Sequence, residues 1–164
     1  MSQPRRYLLT GASSGIGEAL AHQLASRGYD LVLASRRVDN LKALAAELSS
    51  KHGRKVVALP LDVTDYAAAQ DIVGQAAEAL GGLDGVIANS GIAMSSKVGK
   101  GHFDDDKRII ETNLTGAIAT LDAATALFRQ QGHGHLVALA SVAGKVGLPA
   151  NAGYSASKFG LIGY

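Results

Sequence analysis

Residues 10–17 read TGASSGIG, from Thr10 to Gly17, and sit between the short apolar run at 6–9 and the segment EALAHQLASRG at 18–28. The context is strand, turn, helix. Gly11 can take backbone angles closed to other residues. Gly15 and Gly17 remove side chains where a pyrophosphate must approach a helix N-terminus and where helix meets strand. Ser13, Ser14 and Ile16 fill the remaining positions, and the backbone N–H groups of the turn, with the helix dipole behind them, suit phosphate oxygens. The spacing G-x-x-x-G-x-G departs from the G-x-G-x-x-G dinucleotide fingerprint, so the turn is read from its physics and its place in the chain rather than from that motif.

Outward from this turn, runs rich in Val, Ile and Leu recur at residues 6–9, 31–35, 55–60, 85–89 and 135–140. Segments of helical composition lie between them, at roughly 15–27, 38–52, 65–80 and 103–131. That rhythm predicts an α/β fold with a doubly wound parallel sheet of Rossmann type. The runs DLVLAS, KVVALPL, GVIANS and HLVALAS are continuously apolar, as strands covered on both faces are. Gly28, Gly53 and the Gly81–Gly82 pair stand where helices should end. No linker or low-complexity tract divides the chain, so residues 1–164 are expected to form one dinucleotide-binding domain. Ile110, Leu114, Ala117, Leu121, Ala124 and Phe128 alternate spacings of four and three, one face of a long helix. That face either packs on its own sheet or meets a partner helix from a second subunit.

Composition narrows the function. Sixteen basic and fourteen acidic side chains leave a formal charge of +2. No basic run is long enough to track a phosphate backbone, which argues against nucleic acid as a partner. The absence of cysteine rules out a disulfide framework and thiolate metal sites, and fits a reducing, cytoplasmic location. No segment has the length and apolarity of a membrane span, and the start of the chain lacks a signal-peptide core. His133 and His135, in GHGH, read as a polar turn before a strand, and no metal site is assigned. The run FDDDK at 103–107 reads as carboxylates set at the N-terminus of the long helix, which its dipole favours, with a cation site as the minor alternative.

Tyr154 and Lys158 lie four residues apart in AGYSASKFG, so on a helix they share one face. A phenol, with an ordinary pKa of about 10, is a poor base at neutral pH, and a nearby ammonium favours its ionised form. The pattern TGxxxGxG at the first turn together with YxxxK resembles the short-chain dehydrogenase/reductase family, in its compact branch. Three further stretches carry the resemblance. In LDV, Asp62 and Val63 match positions that meet and line the adenine pocket. In NSG, Asn89 and Gly91 match the family's N-A-G turn, with Ser90 in place of alanine. Asn113 in ETNLTG and Ser141 in LVALAS complete a match to the family's catalytic tetrad of Asn113, Ser141, Tyr154 and Lys158.

The resemblance implies an oxidoreductase that interconverts a carbonyl and an alcohol on a small molecule by hydride transfer. Tyr154 would be the general acid/base, and Ser141 would hydrogen-bond the same substrate oxygen. Lys158 would also hold the nicotinamide ribose, and Asn113 would anchor a water in a proton relay. It implies a homodimer or homotetramer, and strands beyond Tyr164, so that the sequence is expected to be part of a longer polypeptide. A dinucleotide-binding domain without turnover, acting as a redox sensor or assembly subunit, is the alternative. For the cofactor, the second apolar run ends LVLASRR, with no acid at Ala34 or Ser35 and with Arg36 and Arg37 following at once. An acid there would suit the ribose 2′-hydroxyl of NAD, whereas a guanidinium suits a 2′-phosphate. NADP(H) is therefore expected over NAD(H), with Arg36 the main contact and Ser13 or Arg37 assisting.

Overall fold

The glycine turn begins where β1 (Arg6–Thr10) ends and leads straight into α1 (Gly15–Ser26) in the computed structural model, which describes residues 5–164. The chain continues as β2 (Asp30–Ser35), α2 (Val38–His52), β3 (Val56–Pro60), α3 (Tyr66–Leu80) and β4 (Gly85–Ala88). The second part holds α4 (Phe103–Ile110), a π-helical segment (Glu111–Thr115), α5 (Gly116–Gln131), β5 (His135–Ala138), a short 3-10 turn (Val142–Gly144) and α6 (Ala152–Gly163). All five strands are parallel, in the order β3-β2-β1-β4-β5. The predicted runs and the observed strands agree to within two residues.

Each central strand alternates its side chains between two cores. Tyr7, Leu9, Leu31, Leu33 and Ile87 pack on the small and leucine side chains of α1 and α2, among them Ala21, Ala25, Leu41 and Leu48. Leu8, Val32, Ala34 and Val86 pack on Ala69, Ile72, Val73 and Ala76 of α3 and on Ala119, Ala124 and Phe128 of α5. Helices on both faces are what a parallel sheet needs, because its strands carry apolar side chains on both sides. Coverage is full only at the centre. β5 is an edge strand whose residues are largely exposed, with Leu136 at 41%. Of the glycines expected at helix ends, Gly53 and Gly81 cap α2 and α3 at φ +61° and +73°, and Gly28 follows α1 at φ +86°.

The long helix expected over 103–131 is one helical run with an insertion. Gly116 N–H reaches Glu111 O, an i to i+5 bond, so one extra residue is accommodated in the turn around Asn113. The insertion shifts the buried face: N-terminal to it the buried residue is Ile109, while the predicted Ile110 and Leu114 are half-buried. Ala117, Leu121, Ala124 and Phe128 beyond it are buried, and they pack within this chain. Gly116 permits this approach, since a Cβ there would lie 2.9 Å from Val63 Cβ. The run FDDDK places Asp104, Asp105 and Asp106 in the first turn of α4, as expected, and Asp106 in addition accepts a hydrogen bond from Gly153 N–H of α6 at 3.0 Å.

Candidate active site

β1 and β4 are neighbours in space but are separated in sequence by two βα units, so the helices following them leave on opposite sides of the sheet. Between such strands, at their C-terminal ends, a doubly wound sheet opens a crevice. A cavity of about 460 Å³ lies there. Gly11, Ser13, Ser14, Ile16 and Gly17 of the first turn line it, with Arg36 and Arg37 after β2, Asp62 and Val63 after β3, and Asn89 and Gly91 after β4. Of the residues expected to hold the cofactor, only Gly15, Tyr154 and Lys158 are outside its lining. Gly15 has φ +60°, in the left-handed region, with open space where a Cβ would stand.

Local hydrogen bonds hold the turn in shape. Thr10 Oγ1 accepts from the N–H groups of Asn89 (3.1 Å) and Ser90 (3.2 Å). Asn89 Nδ2 donates to the carbonyls of Thr10 (3.0 Å) and Gly11 (3.2 Å). Ser14, at the start of α1, supplies no side-chain cap, so the N–H groups of that first turn are left for an anion. Around the mouth, Arg37 Nε donates to Ser13 Oγ at 3.1 Å, and its terminal nitrogen to Ser14 Oγ. Arg36 extends further out, 64% exposed, with its guanidinium 3.8 Å from Asp62. The Asp62 carboxyl is held below the usual carboxylate range, first by the Thr64 N–H and then by the Thr64 hydroxyl and Arg36. These features fit a dinucleotide: backbone donors and glycines for a pyrophosphate, guanidinium groups at the rim, and an ionised carboxylate after β3.

The four candidate catalytic residues come from three elements that meet at α6. Asn113, fully buried, accepts from Ile92 N–H at 2.7 Å and donates to Ile92 O at 2.8 Å and to Ser157 Oγ at 3.3 Å. Ser157 in turn donates to the backbone carbonyl of Tyr154 at 2.7 Å. Lys158 Nζ lies 5.7 Å from the centre of the Tyr154 ring and donates to Leu139 O, beyond β5, at 2.6 Å. Ser141 begins the 3-10 turn, which packs on α6, and its Oγ accepts from Ala143 N–H at 3.1 Å, leaving its own proton free to donate.

Comparison with known proteins decides the family. The profile described as short chain dehydrogenase matches residues 5–164. This chain belongs to the short chain dehydrogenase family. It is 40% identical over 159 residues to an uncharacterised oxidoreductase of Mycobacterium tuberculosis, covering 96% of this chain and 63% of that protein. Among solved structures, a short chain dehydrogenase from Mycobacterium smegmatis superimposes with TM-score 0.93 at 27% identity, over 98% of this chain and 68% of the other. An alcohol dehydrogenase from the archaeon Thermococcus sibiricus, complexed with 5-hydroxy-NADP, gives TM-score 0.88 at 32% identity, over 96% of this chain and 67% of the other. The chain thus spans about 63% of the length of the curated relative.

In this short chain dehydrogenase the cavity also recruits residues that the sequence reading passed over. Ser35, Leu61, Ser90, Ile92 and Thr112 all line it. Thr112 is carried there by the π-helical segment, whose geometry has no signature in a spacing of three and four. Lys158 is 5% exposed, and burial lowers its pKa from the ordinary 10.5. No carboxylate offsets that burial; its hydrogen-bond partner is a carbonyl. Between the lowered folded value and 10.5 the unfolded chain binds more protons than the folded one, so the penalty is full below that window and fades as pH rises through it. Unfolding of wild type and Lys158→Met, compared at pH 7 and again near pH 10, should therefore show the variant's relative stability declining at the higher pH. A pH-independent difference would show that Lys158 does not resist its charge.

Proposed function

We propose that the chain forms the dinucleotide-binding and catalytic part of an NADP(H)-dependent oxidoreductase that interconverts a carbonyl and an alcohol on a small molecule. The observation that carries this reading is the bridge made by Asn113. Its amide ties Ile92, in the cavity wall, to Ser157, between Tyr154 and Lys158, which supports reading the glycine turn and the YxxxK turn as parts of one site. The dinucleotide, when bound, supplies or accepts the hydride.

The chain's residues manage the substrate oxygen and its proton. Tyr154 donates a proton from its hydroxyl in reduction and removes one in oxidation. Ser141, with its acceptor side engaged by Ala143, donates to the same oxygen and stabilises the charge that develops there. Lys158 keeps a cation beside the phenol and holds the ribose of the cofactor. Both ends of the Asn113 side-chain amide are occupied, so a relay water would be held by its backbone carbonyl rather than by its side chain.

Arg36 is the main contact for a 2′-phosphate in this reading, since Arg37 is already drawn onto Ser13 and Ser14. A charge-assisted hydrogen bond contributes about 1.5–3 kcal/mol. Arg36→Ala should thus lower the ratio of kcat/KM for NADPH over NADH by about 10- to 100-fold. An unchanged ratio would remove Arg36 from that role. The reading includes a homodimer or homotetramer, for which α6 offers Phe159 and Ile162, exposed at 46% and 47%. Light scattering at micromolar concentration tests it, and a monomer would count against it.

A further inference from the structure

Asn151 stands at the N-cap of α6 but makes no side-chain capping bond; its amide donates to Pro149 O at 2.9 Å instead. The free N–H groups of a helix start need partners, and a carboxylate is favoured there by the dipole. Here the partner comes from another helix. Gly153 N–H, in the first turn of α6, is shared between Asp106 Oδ1 of α4, at 3.0 Å, and Ser96 Oγ, at 3.2 Å.

The contact is close and doubly anchored. A Cβ on Gly153 would lie 2.8 Å from Asp106 Cα, so α6 enters against the backbone of α4 with no room for a side chain. Ser96, almost fully buried, also pairs its backbone with the segment ahead of α6: its N–H donates to Ala150 O at 2.8 Å, and its carbonyl accepts from Ala152 N–H at 3.4 Å. Ala150 has φ +57°, the left-handed region that an alanine seldom occupies, and turns the chain directly into this junction. Tyr154 is the next residue after Gly153.

We propose that Asp106 is a positioning residue for Tyr154: its carboxylate replaces the missing local cap of α6 and, with Ser96 as second acceptor, fixes the turn that carries the phenol. The inference rests on the reading of Tyr154 as acid/base. It distinguishes Asp106 from Asp104 and Asp105, its companions in the first turn of α4, by the bond to Gly153. Asp106 is no part of the cavity lining, so its effect should fall on catalysis and leave nucleotide binding alone.

Two readouts on the full polypeptide carrying this sequence test it: amide hydrogen exchange at Gly153 to Ser155 by NMR, and kcat with NADPH and the ketone that the wild type reduces fastest. Asp106→Ala should speed exchange at these amides at least about tenfold. It should lower kcat by about 10- to 100-fold, the scale of a 1 Å misplacement, with the NADPH Kd within about twofold of wild type. Asp106→Asn keeps an oxygen acceptor for Gly153 and should restore both readouts to within about threefold. Should the alanine variant unfold, Asp106→Ser carries the same comparison. Unchanged exchange, unchanged kcat, a parallel rise in NADPH Kd, or an Asn variant as impaired as Ala would each overturn the proposal. If Tyr154→Phe retains wild-type kcat, the acid/base reading fails; if Tyr154→Phe is inactive while Asp106→Ala is not, only the positioning role fails.

Discussion

Tyr154→Phe is expected to lower kcat by about 10²- to 10⁴-fold, the range that a positioned proton donor contributes, with little change in NADPH affinity. The substitution keeps the ring beside Lys158 Nζ, 5.7 Å away, and removes only the hydroxyl. The link from Ser157 to this turn goes to the backbone carbonyl of residue 154, so the framework around Asn113 survives the change. A loss shared between kcat and cofactor binding would point to damage of the site as a whole, and a kcat near that of wild type would remove Tyr154 from the chemistry. Lys158→Ala differs in that it should weaken NADPH binding as well, because its proposed contacts include the ribose.

Gly17→Ala should have the largest effect on the nucleotide site for the smallest change in atoms. A Cβ at residue 17 would lie against the carbonyl oxygen of Gly11 and 2.6 Å from Asn89 Nδ2. Those are the atoms that lock the first turn to the loop after β4. Neither can yield without breaking a hydrogen bond, so the expected cost is that of overpacking, about 1–3 kcal/mol. In a chain of this length that corresponds to a fall of about 2–12 °C in Tm. NADPH affinity should fall at least about tenfold as the turn is displaced. Gly74→Ala supplies the contrast. On α3 an added Cβ at Gly74 meets nothing within 4 Å, and helix propensity alone should make that variant more stable by about 0.5–1 kcal/mol. Calorimetry on the two variants therefore predicts opposite signs for one chemical change, and a loss of similar size in both would show that the close approach at Gly17 is not what sets the effect.

Most of the sheet was legible because strand and turn signals are local. Continuous apolar runs mark the strands, and glycines mark the ends of α2 and α3, where left-handed backbone is required. The run HLVALAS reads as a strand covered on both faces, whereas β5 is an edge strand whose residues are largely exposed, with only partial cover at Val137 and Leu139. The candidate site was legible where a motif fixes a residue's position in the chain: Gly11 and Gly17 of the glycine turn, Asp62 and Val63, and Asn89 and Gly91 line the same cavity.

What escaped the sequence depends on geometry between elements. The π-helical turn at 111–115 rotates the helix N-terminal to it, so Ile109 rather than Ile110 is buried, and a periodicity count that assumes 3.6 residues per turn cannot register one extra residue. Asp106 shares the first turn of α4 with Asp104 and Asp105, yet it also bonds to a helix residue 47 positions further on. The sequence ranks Arg36 and Arg37 as main and assisting contacts, but it does not show that Arg37 folds back onto Ser13 while Arg36 reaches outward beside Asp62. In each case the deciding contact is long-range, and no pattern within one segment encodes it.

The central claim is that the cavity and the Tyr154 turn form one working site, and a nicotinamide-fluorescence turnover assay paired with NADPH titration tests it most directly. Run on the full polypeptide with a panel of ketones and alcohols, it should show NADPH binding together with turnover of at least one member, at a higher kcat/KM than with NADH. Saturable NADPH binding without turnover of any member would contradict the account and leave a dinucleotide-binding domain that performs no chemistry.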